Sequence, residues 1–164
     1  MFSYKIVLVG NFGVGKTSLI RRFVENSFSE EYLSTIGVSI SKKTLENVTI
    51  MIWDIEGHTE FKPIYKQYLL GAKAFIIVAD LLREDTIQQI QEHINLCHQV
   101  VKTAPIAIAL NKSDMPHTLD ENDLQKIAAL SDEIITVIKT SAKSGDAVED
   151  LFLTLNEKIC KQIS

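Results

Sequence analysis

The stretch YKIVLVGNFGVGKTSLIRRF, residues 4–23, decides the fold. YKIVLVG (4–10) is an apolar run ended by a glycine, and KTSLIRRFVEN (16–26) spaces Leu19, Ile20 and Phe23 as a helix does. Between them GNFGVGKT (10–17) fits the pattern G-x-x-x-x-G-K-[ST], which needs a strand before it and a helix after it. The glycines let the backbone curl so that successive N–H groups point inward at phosphate oxygens. Lys16 adds a compact positive charge for β- and γ-phosphates, Thr17 offers a hydroxyl to Mg²⁺, and the helix N-terminus contributes its partial positive charge. This loop alone leaves an ATPase, a small-molecule kinase and a GTPase open.

Outward from the loop, short β-rich runs alternate with helical patterns. STIGVSISKKTLE (34–46) and NVTIMIWD (47–54) read as two strands joined by a turn near Glu46-Asn47, a hairpin. AKAFIIVAD (72–80), PIAIALN (105–111) and EIITVIKT (133–140) lack the alternation of a half-exposed strand, which suits a sheet covered on both faces. REDTIQQIQEHINLCHQVV (83–101), LDENDLQKIAALS (119–131) and GDAVEDLFLTLNEKICKQI (145–163) have helical spacing, with Asp120 and Asp146 at the expected starts. The expected fold is α/β: a doubly wound, six-stranded, mostly parallel sheet with one antiparallel hairpin and helices on both faces. Residues 1–164 are expected to form one domain. Ligands of such sheets bind at the carboxyl ends of the strands.

Composition narrows the partners. A net charge of −4, with no Lys/Arg cluster larger than pairs such as Arg21-Arg22 or Lys42-Lys43, argues against a nucleic-acid-binding surface. Cys97 and Cys160 form no disulfide framework and no metal-ligand spacing, so a reducing, cytoplasmic setting fits. MFSYKIVLVG is too short an apolar run for a signal peptide, no run approaches a membrane helix, and the final CKQIS is not a prenylation box. No membrane anchor is expected in this chain, and a monomer is expected.

Two further strand ends suggest a base. NKSD (111–114) follows PIAIAL, and its aspartate is suited to accept two hydrogen bonds from the N1–H and 2-amino group of guanine. Adenine has no such donor pair and would leave the Asp114 carboxylate unpaired. Asn111 can brace the loops, and the Lys112 stem can cover one face of the base. In TSAKS (140–144), after the next strand, small Ala142 lets a backbone N–H approach the guanine O6, and Lys143 flanks the ring. Phe28, just past the first helix, is placed to stack on the nucleotide, although an isolated phenylalanine also fits a core role. Finally WDIEGH (53–58) sets Asp54, Glu56, Gly57 and His58 at the end of another strand.

GNFGVGKT, YLSTIGVSI, WDIEGH, NKSD and TSAK stand in the order and at the spacing of the small GTPases of the Ras superfamily, and the chain resembles that family over its whole length. STIGVSI, IWD and YLLGAKAFIIVAD resemble the Rab branch most, whose members are membrane-traffic switches with a lipidated C-terminal tail. The resemblance implies GTP and GDP as ligands with Mg²⁺, and slow hydrolysis of GTP. Asn11, Phe12, Gly13, Val14, Gly15, Lys16, Thr17 and Ser18 would cradle the phosphates, and Ser141 would join Ala142 and Lys143 at the base. Thr35 would join Thr17 on the metal, Asp54 would hold it through water, and Gly57 would sense the γ-phosphate. An all-oxygen set of hydroxyls, carboxylate and phosphates suits Mg²⁺ and not zinc. His58, Gly57 and Lys16 take the catalytic positions. Effector, exchange-factor and activating proteins would read segments 30–40 and 56–70. The protein would be cytoplasmic, or peripheral to a membrane through a removed lipidated tail or a partner.

The chain departs from the family pattern in three places. Phe12 replaces a small residue, Ile55-Glu56 replaces Thr-Ala, and His58 stands where glutamine is usual. All border the γ-phosphate, so they bear on catalysis more than on binding. The alternative expectation is a guanine-nucleotide-binding interaction module without turnover. Glu56 is expected to swing outward or meet metal-bound water, because its charge repels a γ-phosphate.

Overall fold

The computed structural model describes residues 2–30, 35–59 and 63–163. In chain order the elements are β1 (Phe2–Gly10), α1 (Lys16–Glu25), β2 (Val38–Leu45), β3 (Val48–Ile55), a 3₁₀ turn (Lys66–Leu69), β4 (Ala74–Asp80), α2 (Glu84–Gln88), α3 (Ile90–Val100), β5 (Ile106–Asn111), α4 (Glu121–Ala128), β6 (Ile134–Lys139) and α5 (Val148–Ile163). The six strands form one sheet in the order β2-β3-β1-β4-β5-β6. β2 and β3 pair antiparallel, as the hairpin reading expects, and the other neighbours pair parallel.

The central strands explain why their sequences do not alternate. Tyr4, Ile6 and Leu8 of β1 point into a core with Leu19, Ile20 and Phe23 of α1 and Leu151, Phe152 and Leu155 of α5. Val7 and Val9 point the other way, into a core with Ile90, Ile94 and Cys97 of α3 and Ile127 of α4. Each face is covered by helices, so both sets of side chains must be apolar. The rings of Phe23 and Phe152 stack at a centroid distance of 4.2 Å, tying α1 to α5. No described helix is long and apolar enough to cross a membrane.

Two boundaries differ from the sequence reading and one agrees with it, each for a local reason. The run 83–101 is two helices that meet at Gln89, which keeps right-handed backbone angles (φ −86°, ψ 0°) but ends α2 as its C-cap and precedes α3 as its N-cap. α4 does begin after Asp120, whose side chain accepts from the Asp123 N–H while the Asp123 side chain accepts from the Asp120 N–H, a reciprocal capping box. α5 starts at Val148 rather than at Asp146, because Ala147 takes a positive φ of 59° and belongs to the turn.

Phe152→Ala should lower stability by about 3–5 kcal/mol, the usual cost of emptying a buried aromatic site, measured by urea unfolding. A loss below about 1 kcal/mol would show that α5 packs without this stack.

Candidate functional site

The loops at the carboxyl ends of β1, β3, β5 and β6 meet in one groove. Its narrow part is lined by Phe12, Gly13, Gly15, Lys16, Thr17, Ser18, Thr35, Asp54 and Gly57. A wider part of about 310 Å³ shares Gly13, Gly15 and Ser18 with it and continues past Phe28, Asn111, Lys112, Asp114, Ala142 and Lys143. The structure therefore brings most of the expected site residues together. Asn11, Val14, Ser141 and His58 are not among the lining residues. Residues 31–34 and 60–62, parts of the segments 30–40 and 56–70, lie outside the described residues.

The loop from Gly10 to Thr17 owes its shape to close approaches. Gly15 has φ of 101°, and a Cβ there would stand 2.3 Å from the Asn111 Nδ2. That amide donates to the Val14 carbonyl at 3.0 Å, and its Oδ1 accepts from the Thr140 hydroxyl at 3.2 Å. Asn111 thus braces the loops after β1, β5 and β6, as its place in NKSD suggests. A Cβ on Gly57 would lie 2.6 Å from the Phe12 Cα, so only glycine lets the chain after β3 lie against the loop.

Inside the narrow part, Lys16 is almost fully buried, and its ammonium donates to the Asn11 carbonyl at a long 3.4 Å. Burial pulls its pKa down to about 8, against the opposing effect of the Asp54 carboxylate. A buried cation so weakly partnered suits an anion. Across the cavity, the Thr17 hydroxyl donates to Asp54 Oδ2 at 2.5 Å and lies 2.7 Å from the Thr35 hydroxyl, which reaches the same carboxylate oxygen at 2.9 Å. The second carboxylate oxygen, Asp54 Oδ1, is buried with no hydrogen-bond partner among the described residues. Two hydroxyls and a carboxylate with a spare buried oxygen fit a hard divalent cation such as Mg²⁺. Among the described residues, no group of three or more His, Cys, Asp or Glu side chains converges as a softer metal would need.

At the wide end, Ser141 supports the site from behind. Its hydroxyl donates to Asp114 Oδ1 at 2.8 Å and accepts from the Ser144 N–H at 3.0 Å. Lys112 pairs with the buried Asp80 carboxylate at 2.8 Å and reaches the Gly13 carbonyl at 3.4 Å, so its stem spans the groove. Lys143 pairs with Glu30 at 3.2 Å at the rim. Ala142 is buried, its carbonyl held by Arg22 Nε at 2.8 Å.

The three departures from the family pattern have definite places. The Phe12 side chain is 43% exposed, at the mouth of the narrow part. Glu56 turns to the hairpin side: its carboxylate accepts from the Gly37 N–H at 3.3 Å, and its own N–H donates to the Gly37 carbonyl at 2.8 Å. His58 forms a parallel bridge with Asn11, its N–H donating to the Gly10 carbonyl at 2.9 Å and its carbonyl accepting from the Phe12 N–H at 3.0 Å. Its ring meets the His93 ring of α3 edge-on, with centroids 5.8 Å apart.

Four supporting residues escape the sequence reading. Arg22 holds the carbonyls of Ala142 and Lys143, and Arg83 donates to the Phe12 carbonyl at 2.7 Å. Asn11 gives its amide N–H to Gln89 Oε1, while its Oδ1 lies 3.2 Å from His93 Nε2. His93 carries a detectable signal, a polar residue on the apolar face set by Ile90, Ile94 and Cys97. The arginines carry none, since they act on backbone carbonyls far away in sequence.

Burial, with the neighbouring His58 and Lys16, pulls the His93 pKa down to about 4 from 6.5. Folding therefore favours the neutral ring. The stability is complete above about pH 6.5 and is lost as pH falls toward 4, by about 3 kcal/mol across that window. Unfolding of the unmodified protein and of His93→Leu across pH 4–7 checks this, with a flatter acid limb expected in the variant. Parallel acid limbs would contradict it.

Comparison with known proteins agrees with this architecture. The family model described as the Ras family matches residues 5–161. The Ras-related protein Rab-30 of Homo sapiens is 34% identical over 168 residues, covering 99% of this chain and 81% of that protein. The Ras-related protein SEC4 of Saccharomyces cerevisiae is 34% identical, covering 97% and 76%, respectively. The GTP-binding protein ypt1 of Schizosaccharomyces pombe is 32% identical, covering 96% and 80%. With the phosphate-loop pattern, the sheet order and these similarities together, the chain belongs to the Ras family of small GTPases and is related to its Rab-type members.

Proposed function

We propose that this chain is a GTP/GDP switch that binds guanine nucleotide with Mg²⁺ and hydrolyses GTP slowly to GDP and phosphate. The observation that carries the reading is Asp114, whose carboxylate is oriented by Ser141 at the far end of the groove that begins at Lys16. Phosphates would occupy the narrow part, against Lys16 and the backbone N–H groups of the loop, with the base between Phe28 and the Lys112 stem. Thr17, Thr35 and Asp54 would hold the Mg²⁺, which neutralises phosphate charge when bound. Ser18 lies where the two parts of the groove join.

The switching follows from the attachments of the groove. Thr35 and Gly57 belong to segments 30–40 and 56–70, which a γ-phosphate would order and its loss would release. Ile36, Ile40, Tyr65 and Leu70 are exposed on those segments and offer apolar surface to an effector or regulator. The Rab-type relatives favour a role in membrane traffic, with the protein cytoplasmic or peripheral to a membrane and monomeric.

Slow turnover is favoured by the altered residues. His58 turns toward α3, and Glu56 is engaged with Gly37. Phe12 stands at the mouth of the phosphate cavity, where an activating protein would insert an arginine. The same observations favour, as a second reading, a nucleotide-binding module that never turns over. Phosphate release followed for hours from GTP-loaded protein separates the two. A slow exponential release supports the first reading, and no release above buffer supports the second.

Base choice tests the reading as a whole. The protein should bind GTP and GDP far more tightly than ATP, and Asp114→Asn should shift preference toward xanthine nucleotides, whose extra carbonyl faces the new amide. Equal affinity for ATP and GTP would remove it.

A further inference from the structure

The polar cluster of Asn11, Gln89 and His93 lies between the glycine loop and α3, outside the lining of the groove, and its His93 ring packs on His58. The His58 backbone is immobilised by its bridge to the loop, through Gly10 and Phe12. Only rotation about the side-chain bonds decides where its ring lies. Gly57, the adjacent residue, lines the phosphate cavity, so another rotamer of His58 would face that cavity's edge. The ring lies instead against His93 at an interplanar angle of 81°.

His93 is well suited to hold it. The residue is buried in α3 beside Ile90, Ile94 and Cys97. Asn11 spends its amide hydrogens on Gln89, so its Oδ1 is the acceptor and His93 Nε2 carries the proton. The His93 ring is thereby fixed in tautomer and in orientation. His58 Nδ1, by contrast, is buried with no hydrogen-bond partner among the described residues. Ring packing, and not a hydrogen bond, keeps His58 in place, and an orphaned ring nitrogen makes that arrangement easy to leave.

We propose that His93 is a positioning residue that parks His58 against α3, off the phosphate cavity, and thereby keeps GTP hydrolysis slow. The inference rests on the GTPase reading above and adds a specific brake to it. Release of the ring would let a neutral histidine, with one donor and one acceptor, reach the water that attacks the γ-phosphate.

The test pairs two readouts on the full chain. In His93→Leu, the His58 ring resonances observed by NMR should move to those of an exposed histidine, with or without nucleotide. Single-turnover phosphate release should rise about tenfold, and the rise should vanish when His58→Ala is added. His93→Phe, which keeps a ring edge in place, should hold both readouts near those of the unmodified protein. Unmoved His58 resonances in His93→Leu would overturn the proposal. So would an unchanged rate, an equal change in both backgrounds, or equal acceleration by Phe and Leu. GTP affinity of the unmodified protein, measured first, decides the GTPase reading separately, because the ring resonances report parking without nucleotide.

Discussion

The site depends on one amide. Asn111 closes β5, yet its Nδ2 stands only 2.3 Å from where a Cβ on Gly15 would be and donates to the Val14 carbonyl, while its Oδ1 accepts from Thr140 beyond β6. The curl of the phosphate loop and the spacing of the two base-side loops are therefore set by the same side chain. Because both ends of that amide are satisfied inside a buried setting, displacing it would strand a donor and an acceptor at once. The parallel order β1-β4-β5-β6 is what brings these loops to one edge of the sheet.

A second set of constraints acts on the other end of the loop. Arg83 holds the Phe12 carbonyl, His58 takes the Phe12 N–H, and Gln89 with His93 saturates Asn11. The interruption of the helix at Gln89 belongs to this arrangement, since the residue at the break is the one that reaches the loop. α2 and α3 are thus mechanically linked to the loop tip and to the start of the segment after β3.

Much of this was legible in the sequence, because the fold rests on local patterns. Unalternating runs such as AFIIVAD identified strands covered on both faces, and the turn at Glu46-Asn47 identified the only antiparallel pairing among the described strands. Asp120 marked a helix start because its cap is made within three residues. Asp146 misled by two positions, since the turn before α5 is decided by the left-handed backbone of Ala147 and not by an acidic side chain. In the site, most motif residues gathered because the loops that carry them follow strand ends, while Asn11, Val14, Ser141 and His58 stand behind or beside the lining. The outward turn of Glu56 was legible from its charge, but its partner Gly37 and the orientation of His58 against His93 were not, because only the folded chain supplies those contacts. Arg22 and Arg83 were illegible for the same reason.

Three strand-end loops and the chain after β3 line one groove, proposed above to take a guanine nucleotide. The most direct measurement is the nucleotide content of protein purified in Mg²⁺ and denatured for chromatography. Close to one equivalent of GDP or GTP per chain, and no adenine nucleotide, is expected. Adenine nucleotide in that amount, or nucleotide-free protein that takes up neither GDP nor GTP when they are supplied, would contradict it.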